Sequence, residues 1–122
     1  MTNVKKGFAA MLLIATVGGW TGAASAEHFT GPCASELNAV ETAIESGVFL
    51  GKKAATDQSN LLAKLEAAGA KLALEKYDDA VDKLQSISDT STALANAPKP
   101  KLDDASGINE AVVTAIACVG SL

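Results

Sequence analysis

Few side chains in this 122-residue chain have the type and spacing that chemistry requires, and its two cysteines, Cys33 and Cys118, come first. Thiol exchange uses cysteines that are local in sequence, as in C-x-x-C, whereas these lie near opposite ends of the chain. A structural cross-link is the expectation in an oxidising compartment, with free thiols or an intermolecular bridge as the alternatives. His28 is the sole histidine. It has no second histidine to complete a zinc or haem site and no C-x-x-C-H motif, so it reads as a solvated terminal imidazole, and no metal or cofactor is expected. Glu75, Asp78, Asp79 and Asp82 present oxygens to a hard cation but lack the spacing and glycine of a calcium loop. They read as a solvated helix start, where acids complement the dipole. Asp103 and Asp104 read the same way, as a cap and first turn before Ile108. Ser106-Gly107 has neither the preceding strand nor the second glycine of a nucleophile elbow. No catalytic constellation emerges, and the chain is read as non-enzymatic.

The compartment follows from the N-terminus. Lys5 and Lys6 precede an apolar run from about Phe8 to Val17, and "ASAE" follows, with small residues at Ala24 and Ala26. This is the pattern of a bacterial secretory signal, with cleavage expected after Ala26. The apolar run is too short to cross roughly 30 Å of hydrocarbon, and Gly18, Gly19 and Trp20 interrupt it. "HFTGPC" before Cys33 lacks the residues of a lipoprotein cleavage site, so no membrane anchor is expected after processing. The expected product is one domain, residues 27–122, in the periplasm or secreted. The chain has a net charge of −4, no arginine, and two of its 10 lysines in the leader. Nucleic acid is therefore an unsuitable partner, because phosphate binding needs a basic face.

Four helical patterns account for the rest. Leu37, Val40, Ala43 and Ile44 recur at helical spacing until Gly47. Leu61, Leu62, Leu65, Ala68 and Leu72 form the second stripe, with Thr56, Asp57 or Ser59 expected to cap its start. The third runs through Tyr77, Ala80, Val81, Leu84, Ile87 and Leu94. The fourth runs through Ile108, Val112, Ala115, Ile116 and Val119. No segment alternates with period two, so strands are not expected. An even number of up-down helices brings the start of the first and the end of the last together. The reading is an all-α, up-down-up-down four-helix bundle in which a Cys33–Cys118 disulfide joins helices one and four. Alanine-rich stripes favour close helix approach over a ligand pocket, which argues against a small-molecule binder.

"NLLAKLEAAGAKLALEKYDDAVDKLQSI" resembles the signature of FIMAH domains, small helical modules of bacterial exported proteins, with a Leu-Leu-x-Lys-Leu-x-x-Ala helix followed by a turn and an Ala-x-x-x-Leu helix. "SGVFLGKKAATDQSNLL" resembles the turn before it, and Leu102 to Val119 is compatible with the closing helix, so the resemblance spans about residues 46–119. It implies an accessory or docking role. The expected function is an exported interaction module that binds a protein or an envelope component; the alternative is an inhibitor of an exported enzyme. Two connections carry candidate binding residues. Phe49, flanked by Val48 and Leu50, either plugs the end of the bundle or docks a partner. Lys99 and Lys101, interleaved with Pro98 and Pro100, form a dense positive stretch outside the leader. In an up-down bundle both connections fall at the end opposite the disulfide.

Overall fold

A computed structural model describes residues 28–122; the expected leader, residues 1–26, and the cleavage position at Glu27 lie outside the described residues. Four helices follow one another: α1 (Ala34–Glu45), α2 (Ala54–Ala73), α3 (Tyr77–Ala95) and α4 (Ser106–Gly120). Each packs against two others. The α2–α3 contact is the most extensive, α3–α4 and α1–α4 follow, and α1–α2 is the thinnest. The helices thus close a ring in chain order, α4 returning to α1, and the first and last helices are neighbours. No described residue lies in a β-strand, and the one β-bridge is isolated. No described helix is long and apolar enough to cross a membrane.

The apolar stripes face the ring's interior. Leu37, Val40 and Ile44 of α1, Leu61 and Leu65 of α2, Leu84 and Ile87 of α3, and Ile108 and Val112 of α4 are all buried. Residues three and four apart lie on one face of a helix, and burying such a face against its neighbours is what makes these segments fold. Two polar side chains share that face. Glu41 of α1 lies between Val40 and Ile44 on the inward side, and Ser91 of α3 is fully enclosed with its hydroxyl unpaired.

The ends of the ring are fixed differently. Cys33 and Cys118 form a disulfide across 85 positions, with Cα atoms 5.9 Å apart, and it joins the residue before α1 to the last turn of α4. Cys33 is 8% exposed and belongs to the core. The same end carries the tight α2–α3 turn. There Glu75 N–H donates to the Leu72 carbonyl (3.0 Å) and Lys76 N–H to that of Lys71 (2.9 Å). This is a Schellman closure, which asks for a left-handed residue at its centre, and Glu75 supplies it with φ 61°. A side chain there is strained where glycine is not. Glu75→Gly is expected to stabilise the domain by about 0.5–1 kcal/mol, read from the denaturation midpoint, because relief of that strain exceeds the backbone entropy glycine adds to the unfolded chain.

The helix starts differ from expectation. α2 begins at Ala54, ahead of Thr56, Asp57 and Ser59, and its N-cap residue Lys53 makes no side-chain cap. Asp57 instead lies inside the first turn, where its charge meets the helix dipole. At α4 the N-cap is Ala105 and no acid lies in the first turn, so Asp103 and Asp104 precede the helix instead of capping it; Asp104 still reaches its start, its Oδ1 accepting the Ser106 N–H at 2.9 Å. Hydrogen bonding from the Ser106 backbone, then from its side chain, holds the Asp104 carboxyl below the ordinary aspartate value.

Candidate functional site

Two parts of the surface hold the groups that point to function. The first is the end of the bundle opposite the disulfide, where the α1–α2 connection (residues 46–53) meets the α3–α4 connection (96–105). They join as an antiparallel bridge between Phe49 and Leu102. Leu50 N–H donates to the Lys101 carbonyl and Asp103 N–H to the Val48 carbonyl, both at 2.9 Å, while Lys101 N–H reaches back to Leu94. Leu102 is completely buried and anchors the second connection in the core. Short connections that would otherwise move independently are thereby held as one platform.

On that platform the expected binding residues separate. Phe49 is half-buried and packs against the core, its ring so close over Gly47 that a Cβ there would come within 3.1 Å. It acts as a plug. Its neighbours Val48 and Leu50 point outward, 57% and 37% exposed. Lys99 and Lys101 are exposed on the adjoining connection. An open cleft of about 310 Å3 lies beside Val48, bordered by Gly47, Asp103, Asp104 and Gly107. Ser46 and Ser106 also line it, and no histidine or cysteine does.

The second part is the seam between α1 and α2. Being the thinnest interface of the ring, it is supplemented by groups from outside the two stripes. Gln58 Nε2 donates to the carbonyls of Ile44 (3.0 Å) and Glu45 (3.2 Å), serving the last turn of α1. The segment before Cys33 lies along the same seam. Phe29 N–H donates to Asn38 Oδ1 at 2.9 Å, and Asn38 Nδ2 donates back to the Phe29 carbonyl at 3.3 Å. The Phe29 ring is pressed onto α2 at Gly69, where any Cβ would come within 2.7 Å of it. Glycine at position 69 is what makes room for that ring.

Held by these contacts, His28 keeps a solvent-exposed imidazole, as its terminal position suggested, but rests it against the bundle. It stacks on Phe29 with ring centroids 4.7 Å apart and sits between two carboxylates. Nδ1 faces Glu41 Oε2 of α1 at 3.6 Å, and Nε2 contacts Glu66 Oε2 of α2. Burial pushes the Glu41 carboxyl up; His28 opposes that rise, while Glu45 and Glu66 add to it. The acids singled out in the sequence, Asp78, Asp79 and Asp82, stay exposed on the first turns of α3. Residues 28, 41 and 66 come from three separate elements, and nothing in their spacing joins them. The one local signal is a glutamate on the inward stripe of α1.

Comparison with known proteins gives no relative: no family model, no curated protein and no solved structure matches the chain. None of these comparisons bears on the resemblance to FIMAH domains.

Proposed function

We propose that this chain is an exported, non-enzymatic helical module that docks a protein or envelope component through the loop end of the bundle. One observation carries the reading. The Phe49–Leu102 bridge makes a fixed platform of two connections and leaves Val48 and Leu50 outward beside Lys99 and Lys101. Apolar side chains on a rigid, solvent-facing backbone lose little entropy when covered, which is what a recognition surface needs. The disulfide and the secretory pattern of the leader support an oxidising compartment outside the cytoplasm.

The test uses two surface variants, Val48→Ser with Leu50→Ser, and Lys99→Glu with Lys101→Glu. Phe49 is left intact, because its packing would confound binding with folding. Leu74→Ser, equally apolar and 64% exposed at the disulfide end, is the control. Capture of partners from envelope extract is expected to fall about tenfold or more in the loop-end variants, since contacts at the centre of an interface each contribute on the order of 1–2 kcal/mol. The Leu74 variant is expected to capture normally. Equal loss in all three, or loss in the control alone, would place recognition elsewhere. An exported enzyme among the captured partners, inhibited by the wild type and not by the loop-end variants, would select the inhibitor reading.

A further inference from the structure

The His28, Glu41 and Glu66 side chains meet on the flank of the bundle, away from the loop platform, and their charges do not balance. Glu41 is only 9% exposed, yet its carboxylate accepts no hydrogen bond of 3.5 Å or less among the described residues, and the nearest basic group is the His28 imidazole at 3.6 Å. Glu66 stands on the far side of the same ring, and Glu45 lies one turn along α1. No lysine forms an ion pair with any of them among the described residues. Carboxylates taken partly out of water need a counter-charge, and a single imidazole is shared between these two.

We propose that His28, Glu41 and Glu66 form a binding site for a divalent transition-metal ion of the zinc type. One ligand atom from each residue lies within 4.8 Å of the others. Tetrahedral zinc holds nitrogen and oxygen ligands at about 2.0–2.2 Å, which sets its ligands about 3.3–3.6 Å apart. A rotamer adjustment of the more exposed Glu66 closes that difference. One ion takes one imidazole nitrogen. Nδ1, 3.6 Å from Glu41 Oε2, already has the spacing of two zinc ligands and is the atom suited to it, and Glu66 swings in to complete the triad. The mixed set of one imidazole and two carboxylates matches a borderline ion; a site for calcium or magnesium would be built of oxygen alone. His28 and Glu66 are both about half exposed, leaving an entry path and a fourth position for water.

The surroundings fix the ligand that sequence would leave loose. The paired hydrogen bonds between Phe29 and Asn38, and the seating of Phe29 on Gly69, hold the backbone next to His28 against both helices. Such supporting contacts set how firmly a metal ligand is presented. The ion would join the N-terminal strap, α1 and α2 across the thinnest seam of the ring, so binding and stability are linked.

The experiment is calorimetric titration of the untagged exported protein with Zn2+, together with thermal melting with and without the ion. One-to-one binding and a zinc-dependent rise in melting temperature are expected. Both should weaken by about tenfold or more in affinity in His28→Ala and in Glu41→Gln. Asp78→Asn with Asp79→Asn, on the acidic start of α3, should bind as the wild type does. Circular dichroism of the metal-free variants confirms that each is folded; Glu41→Gln keeps the shape of the buried side chain and His28→Ala alters a half-exposed one. No binding at about 100 µM Zn2+, where a site of this kind should be well filled, would overturn the proposal. So would binding that persists in either ligand variant or is lost in the α3 variant.

Discussion

Opening the Cys33–Cys118 bond, by reduction or by paired substitution to alanine, is expected to lower the melting temperature by on the order of 20 °C. The bond closes a loop of 85 positions. Chain-entropy arithmetic assigns about 4.5 kcal/mol to a loop of that size, and a domain of this length loses about 4–8 °C per kcal/mol. An offsetting contribution keeps the estimate at the lower end. Cys33 is held in a left-handed backbone, φ 61°, and release of that strain returns about 1 kcal/mol. The loss should fall first on α1. At 12 residues it is too short to persist alone, and its contact with α2 is the thinnest in the ring. Far-UV helical signal should therefore remain largely in place in the cold, while amides of α1 exchange faster than those of α2 and α3. A shift of less than about 5 °C would mean that packing between α1 and α4 holds the ring closed without the bond.

Leu102→Ala is expected to cost about 2–4 kcal/mol, as much as a deletion within a helix stripe, although the residue sits in a connection. Leu102 is completely buried, and its two flanking residues supply the hydrogen bonds that tie one connection to the other. Shortening it leaves a cavity and loosens that pairing together. Urea denaturation should show a lower midpoint with an unchanged slope, and the amides of Leu50 and Asp103 should lose exchange protection. Leu122→Ala, half exposed at the tail, should change stability by no more than about 0.5 kcal/mol. A cost below about 1 kcal/mol at Leu102 would show that the connections are free of the core, and the platform with them.

These two positions mark what the sequence makes legible and what it conceals. Periodicity locates Leu37, Leu65, Leu84 and Val112 because each has neighbours three and four places away on the same face, and the helix count then brings the cysteines together. Leu102 has no such neighbours; an isolated apolar residue among Pro100, Lys101 and Asp103 looks like any loop leucine. Glu41 and Ser91 occupy the right face but have the wrong polarity, so a reading by hydrophobicity passes over them. The start of α2 is concealed for another reason. Lys53 precedes it without a side-chain cap, and the capping types at Thr56, Asp57 and Ser59 lie within the helix. His28 is the extreme case, since its partners belong to elements whose adjacency arises only when the ring closes.

The bond between the two ends of the domain also determines how it can be cut. A protease finds its easiest substrate in the exposed backbone around Lys52–Lys53 or Lys99–Lys101, at the end of the bundle farthest from the sulfur atoms. One cleavage anywhere between Cys33 and Cys118 divides the chain but leaves both fragments on the same covalent body. A nick in either connection splits the helices into a segment of one and a segment of three, still tethered side by side. Release of a fragment takes two cuts, or one cut and a reductant.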